Sequence, residues 1–505
     1  LTTALRPTDL VGRLEERCAE PTMPCLTFEG RTWTWAEVRD AAGAMAKALG
    51  AAGVRPGDVV AIASQNRAEL VPLMLAVWRA GAALAPLNGL LTTGELGRIV
   101  ARLRPRVVVA DRSLETAWTG PPGPLPGSED LELRPAPASV EVRRATPGAA
   151  LILHTSGTTA QPKAVELSAA NLVGSIESVL RLVRQGKARD RAARGAPNLV
   201  AFPLSHLAGM FNTLLALYND REILLMRRFE VGPFVELVER HRIPSVILNP
   251  TMVYMLCDAP PSDDERLRSL RFVRSGSARL SPVLGARFHE RFGVPVLNCY
   301  GQTETAGEVI GWTVPDLGWA AEKLGSVGRP HGGVSLRFVD EDLAEVPAGE
   351  TGELCVNAPF IMDGYLDAEN GAADFLDGGF LRTGDLGRVD GDGFVWLVGR
   401  RKEIINCGGF KVLPEEVEEV LRSHPGVGDV MVAGVPDDRL GEAPWAFVVP
   451  RPGDAPDDAA ALAATLVEHA RGRLARYKMP RGIHFVEDLP RNATGKLMRS
   501  RAADL

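Results

Sequence analysis

Apolar positions recur along this chain at two periods, and the alternation between them divides it into short strands and amphipathic helices. Residues 25–33 have strand-turn character, and Val38, Ala42, Met45 and Leu49 then fall on one face at helical spacing. Thr34 and Glu37 stand at the separation of a capping box, which marks the start of this first amphipathic helix. The pattern continues with a strand at 58–64, a helix at 67–79, a capped helix at 92–101 and a strand at 106–110. Such alternation predicts an α/β fold, a layered sheet flanked by helices. The Pro/Gly-rich stretch 120–126 is read as a surface connector.

The apolar run 151–154 opens into TSGTTAQPK and resumes at Ala164 and Val165, as a strand, a loop and a returning strand would. Thr155, Ser156, Gly157, Thr158 and Thr159 offer hydroxyls and exposed N–H groups, and Lys163 adds a positive charge. That set suits phosphate oxygens. It is not the Walker A loop, which needs GxxxxGK followed by Ser or Thr at the head of a helix. An ordinary turn favours the same small residues, so the loop alone leaves both readings open.

Helical periodicity returns from Leu172 and meets a basic run at 181–194, read as solvent-facing; a helix at 233–241 and strands at 245–248 and 271–275 follow. Three polar segments interrupt this pattern. The first is AFPLSHLAGM at 201–210, with His206, and the second is the turn Gly276, Ser277 and Ala278. In the third, NCYGQTETAG at 298–307, Tyr300 offers an aromatic face, Gly301 a close turn, Thr303 a hydroxyl and Glu304 a carboxylate suited to magnesium. Asp385, in LRTGDLGRV at 381–389, would accept two hydrogen bonds from a diol, and Arg400 follows in GRRKEII. Helices at 414–422 and 458–474 and strands at 430–435 and 445–450 then describe a compact α/β unit that ends in PRNATGKLMR at 490–499. Singly, His206 reads as a hydrogen-bonded structural histidine and Lys496 as a surface lysine.

Taken in order, SGTTAQPK, PLSHLAG, YGQTE, RTGDL and the loop around Lys496 resemble the motifs of the adenylate-forming superfamily, in its acyl-CoA synthetase and aryl or fatty acid-CoA ligase branch. The resemblance covers nearly the whole chain. It implies a large multi-subdomain N-terminal domain, 1–401, with layered sheets and helices, and a small mobile α/β C-terminal lid, 402–505, hinged at Lys402. It further implies ATP-driven conversion of a hydrophobic or aryl carboxylic acid to acyl-AMP, followed by transfer to CoA. Phosphate would be held by the 155–159 segment, Lys163 and Thr303, magnesium by Glu304, ribose by Asp385 and Arg400, and adenine by Tyr300 and the 276–278 turn. His206 would shape the acid side, Lys496 would meet the carboxylate and α-phosphate, and Gly408, Gly409, Phe410 and Lys411 would border the thiol arm of CoA.

Ala160 and Ala164 stand where the family's loop commonly has glycine, and a β-carbon there restricts the backbone. Two alternatives therefore stay open, an enzyme that performs only the acyl-AMP to CoA step and an inactive nucleotide-binding regulator; a ligase serving a carrier protein is a third, since the sequence does not distinguish free CoA from a carrier-borne thiol. Composition narrows the rest. With 505 residues, 45% of them hydrophobic, and a net charge of −6, the chain can bury a large core but has no basic stripe for nucleic acid. No early stretch has signal-peptide order and no apolar run approaches bilayer length, so the reading is cytoplasmic, without membrane partners and with homo-oligomerisation open. The six cysteines lack CxxC spacing and read as packing residues.

Overall fold

The capping box forms as its spacing predicts. Thr34 Oγ1 accepts from the Glu37 N–H at 3.2 Å, and the Glu37 carboxylate accepts from the Thr34 N–H at 2.7 Å. Helix Trp35–Ala51 starts there and buries Trp35, Val38, Ala42, Met45 and Leu49. The same device at Thr92 and Glu95 starts helix Thr93–Leu103. A computed structural model describes residues 5–17, 20–114, 122–137, 139–155, 163–184, 195–260, 264–313, 315–366, 374–451, 459–492 and 495–505. Trp35–Ala51 is not the first amphipathic helix, because Pro7–Arg17 precedes it and buries Leu10, Val11 and Leu14. Four charges in its second half, Arg13, Glu15, Glu16 and Arg17, obscure that narrow apolar stripe in the sequence. The next helix begins at Leu70, not at residue 67, and every residue from Leu70 to Trp78 is buried. Pro72 is tolerated because the first turn needs no intrahelical donor.

The largest sheet has seven strands among the described residues, in spatial order Gly123–Pro124, Leu131–Pro135, Val107–Asp111, Val59–Ser64, Ala83–Asn88, Ala149–Thr155 and Lys163–Ser168. Val59–Ser64 is buried at every position, as a central parallel strand covered on both faces must be. Part of the Pro/Gly-rich connector forms the two-residue edge strand at Gly123. At the other edge, Ala149–Thr155 runs antiparallel to Lys163–Ser168, with Thr155 opposite Lys163 and His154 opposite Ala164. Helix Ala169–Arg184 follows, and most of the basic run, 185–194, lies outside the described residues.

A three-stranded parallel sheet, Ser245–Leu248, Phe272–Ser275 and Val296–Asn298, delivers three segments to its carboxyl edge: Asn249 onward, Gly276–Ala278, and Cys299–Tyr300. Ligand sites in parallel sheets form at this edge. An antiparallel sheet pairs Phe380–Val389 with Val395–Arg400 and sets Asp385 opposite Arg400. The last sheet draws all five strands from residues 405–485 and covers its own core, which includes Val417, Leu421, Val432, Val448 and Leu466. The expected strand at 430–435 is the centre of Val427–Asp437, and that at 445–450 is the carboxyl-terminal part of Gly441–Pro450. The helix expected to reach 474 stops at Ala470, ahead of a turn with Gly472 at φ +87°. The result is a large α/β N-terminal region with mixed sheets and a smaller α/β C-terminal domain. Among the described residues no helix is long and apolar enough to cross a membrane.

Candidate active site

Two connected cavities, of about 540 and 310 Å³, lie at the carboxyl edge of the parallel sheet and share Ser277, Cys299, Gly301, Gln302, Arg400 and Lys496 as lining. Asp385 anchors the larger one. Its Oδ2 accepts from Tyr300 Oη at 2.7 Å and from Gln302 Nε2 at 2.6 Å, and its Oδ1 pairs with Arg400 Nε at 2.8 Å. The carboxylate is 5% exposed, so these donors offset the cost of its burial. Burial and the adjacent Asp385 charge hold the Tyr300 phenol protonated, well above its ordinary range. The Asp385 to Arg400 pair is therefore a fixed part of the cavity wall, and each partner keeps further hydrogen-bonding capacity.

In the smaller cavity, Glu304 Oε1 accepts from Tyr365 Oη at 3.0 Å, and the Lys163 ammonium stands 4.0 Å from the Tyr365 ring centroid. Lys163 also reaches Asp374 Oδ2 at 3.3 Å. A carboxylate and an ammonium are thus brought together across one aromatic ring, with Thr303 beside them in the same wall. Ser156, Gly157, Thr158, Thr159 and Ala160 lie outside the described residues, and of Thr155 only its backbone position at the end of its strand is described. Ala164 is described. It is a buried residue of the regular hairpin, its carbonyl accepts from Leu366 N at 2.9 Å, and its φ is not positive. The expected backbone restriction does not apply at that position, since extended backbone suits alanine.

Lys496 enters from the C-terminal domain and lines both cavities. Its loop is held from two sides. Asn492 Oδ1 accepts from the Lys496 N–H at 2.9 Å, and the Gly495 carbonyl accepts from Thr251 Oγ1 at 3.1 Å across 244 residues of sequence. Gly495 has φ +77°, and a Cβ there would stand 2.7 Å from Thr251 Oγ1. Gly495→Ala is accordingly expected to disfavour this seating of the loop by ~1–2 kcal/mol and to cut the Lys496-dependent step about tenfold, checked by kinetics of that step alone. Burial, then the neighbouring Arg400 charge, pulls the Lys496 ammonium down to about 8.

Behind the loop, Arg499 donates to Glu418 Oε1 at 2.8 Å, lies 3.2 Å from Glu415 Oε1, also bonds Glu403, and donates to the Val432 carbonyl at 3.0 Å. Burial and the neighbouring carboxylates raise Glu415 to about 7, against the pull of Arg499.

His206 lies at the head of helix Leu207–Tyr218, and burial alone pushes its imidazole down to about 4, so it is neutral at pH 7. Its Nε2 is buried without a protein hydrogen-bond partner among the described residues and lines the smaller cavity. Gly276 and Ser277 line that cavity, and Ser277 and Ala278 the larger one. Ser277 adopts φ +68°. Lys402 also borders the smaller cavity. The remaining expected residues stand apart. Gly408 and Gly409, with φ +58° and +87°, turn the chain between strands Ile405–Cys407 and Phe410–Val412. Phe410 is 56% exposed and stacks on Tyr477, and Lys411 pairs with Glu341. None of these four lines either cavity.

Sequence reading missed Gln302, Tyr365, Thr251, Arg499 and the buried pair Arg274 and Glu308. The last two carried a signal, since a charged residue sits inside each of the apolar strands RFVRS and GEVIG. Tyr365 and Thr251 have no such mark, because only the fold brings them to the site.

The profile of the AMP-binding enzyme family matches residues 14–366, and that of the AMP-binding enzyme C-terminal domain matches 416–496. Indoleacetate–CoA ligase of Aromatoleum aromaticum is 33% identical, over 96% of this chain and 96% of its own. Feruloyl-CoA synthase of an Amycolatopsis species is 34% identical, over 93% of each. The crystal structure of ATP-bound MatB from Rhodopseudomonas palustris superposes with a TM-score of 0.84 at 29% identity, covering 98% of both chains.

Proposed function

The chain belongs to the AMP-binding, adenylate-forming enzymes in their acyl-CoA synthetase branch, and from that premise we propose how its residues divide the work and which acid it takes. The family activity is ATP-dependent activation of a carboxylic acid as acyl-AMP, followed by transfer of the acyl group to CoA. One observation carries the finer reading: Lys496, nearly a hundred residues beyond Arg400, stands in the same walls as Arg400, Glu304 and Asp385.

The larger cavity takes the nucleoside. Asp385 and Arg400 hold the ribose diol, with Tyr300 and the 276–278 turn beside the base. Lys163, Thr303 and the 155–159 segment hold phosphate. Glu304 fits magnesium, because its carboxylate is hard, oriented by Tyr365 and adjacent to the Lys163 end of the cavity. The ion would offset charge on the pyrophosphate. Lys496 brings its ammonium to the acid carboxylate and α-phosphate, neutralises the charge that grows there and holds the two reactants together. No side chain becomes acylated.

The acid occupies the smaller cavity beside His206. Leu207, Ala208, Phe211 and Ile247 give it a largely apolar body, which favours an aryl or other hydrophobic acid, in keeping with the indoleacetate and ferulate relatives. After adenylation, rotation about Lys402 withdraws Lys496 and brings Gly408, Gly409, Phe410 and Lys411 toward the acyl carbonyl. Their position outside the cavities fits a structure poised for the first step. Free CoA is the thiol in this reading, and residues 1–401 and 402–505 are the two moving bodies. The test is acid-dependent formation of AMP and thioester with free CoA or with a phosphopantetheinyl carrier protein. The expected result is turnover with CoA that is lost when EDTA removes magnesium. Turnover on the carrier alone would reassign the thiol.

A further inference from the structure

Phe272–Ser275 is the middle strand of the parallel sheet, and it carries Arg274 in register with Ile247 and Leu297. Arg274 donates to Glu308 Oε1, and His331 Nε2 lies 3.1 Å from the same oxygen. The three side chains are 14%, 9% and 0% exposed. The backbone is shaped around them, since a Cβ at Gly311 would overlap Glu308 Oε1 and come within 3.0 Å of His331 Nε2. Of the three, Glu308 alone reaches the smaller cavity, where it shares the wall with His206, Phe211, Asn212 and Ile247.

An entering acid therefore meets a carboxylate whose countercharge stands behind it. Burial alone would raise Glu308, but Arg274 and then His331 overcome it and hold the group below the usual carboxylate range. An ionised carboxylate only accepts hydrogen bonds. Of the cations lining the same cavity, Arg400 pairs with Asp385, Arg382 with Glu353 and Lys163 with Asp374, while Lys402 also stands in the wall. Lys496 stands at the junction with the larger cavity.

We infer that Glu308, backed by Arg274 and His331, determines acid specificity by accepting a hydrogen bond from a hydroxyl or amino group at the distal end of a monoanionic acid and by rejecting acids with a second distal anion. The inference rests on the ligase reading, in which the smaller cavity holds the acid. A site built to pair with a donor discriminates strongly against an analogue that lacks it, and a like charge near a buried carboxylate is worse still.

The experiment is acid-dependent pyrophosphate exchange into ATP with benzoate, phenylacetate and cinnamate, each unsubstituted, 4-hydroxylated or 4-carboxylated, for the wild type and Glu308→Gln. On the skeletons that turn over, the wild type is expected to favour the hydroxylated acid over the unsubstituted one by about tenfold or more in kcat/KM, and to use the carboxylated acid least. Glu308→Gln, which removes the charge, is expected to narrow the gap between hydroxylated and carboxylated acids by at least about tenfold. Ratios between acids within one protein are insensitive to the fraction folded. A wild type that prefers the dicarboxylate or ignores the distal group overturns this inference and leaves the ligase reading intact, as does a Glu308→Gln variant with unchanged ratios. No exchange with any acid, under conditions where added acyl-AMP still yields acyl-CoA, overturns both.

Discussion

Lys496→Ala is expected to slow adenylation of the acid by about 10²–10³-fold and to leave the reaction of supplied acyl-AMP with CoA nearly unchanged. The first half of that expectation follows from charge. Carboxylate and ATP are both anions, and Lys496 stands where the two cavities meet. The second half follows from the proposed rotation about Lys402, which would withdraw this lysine before the thiol arrives. A merely structural lysine would impair both steps together. Titration adds an independent check. Because the free enzyme holds the Lys496 ammonium at about 8, kcat/KM for adenylation should fall as pH rises through that value. Lys496→Arg stays charged and should lack that limb, although its guanidinium fits the space poorly and its rate should be low. Separate rate measurements on the two half-reactions across pH decide the matter.

Arg499→Met is expected to lower folding stability by ~3–5 kcal/mol, the largest stability effect of any single substitution considered. It would leave Glu403, Glu415 and Glu418, whose side chains are 7%, 12% and 5% exposed, without the guanidinium that joins them. The pH dependence has a definite sign. Glu415 already sits at about 7 in the folded protein, above its unfolded value, so the folded state binds more protons and stability falls as pH rises through that range. Removing Arg499 raises the carboxylates further, and the deficit of the variant should be greater at pH 8 than at pH 5. Denaturant titrations at both values check this, and adding Glu418→Gln to Arg499→Met should recover part of the loss.

Much of this architecture was legible in the sequence because local rules and burial agree there. The capping boxes at Thr34 and Thr92 formed as spaced, and the face of Val38, Ala42, Met45 and Leu49 is the buried face. The helix Pro7–Arg17 was hidden by its charges, and the start of the buried helix at Leu70 was misplaced because a helix apolar on all sides has no periodic edge. At the site, the family motifs led to Tyr300, Glu304, Asp385, Arg400 and Lys496, and the fold brings all five to connected cavities. The partners that orient them were not legible. Tyr365 reaches Glu304 across 61 residues and Thr251 reaches Gly495 across 244, distances over which no sequence period carries information. Ala164 was read as a possible obstacle from its place in a motif, and its pairing in a regular hairpin removes that concern.

One chain is expected to perform both half-reactions, with Lys496 needed only in the first. The most direct test is pyrophosphate exchange into ATP by the full-length protein with acid and magnesium but without CoA, followed by addition of CoA and measurement of AMP and thioester. Acid-dependent exchange before the addition, and one AMP released per acyl-CoA after it, is the predicted result. Thioester formation from supplied acyl-AMP with no exchange under any acid would contradict the account and identify an enzyme of the second step alone.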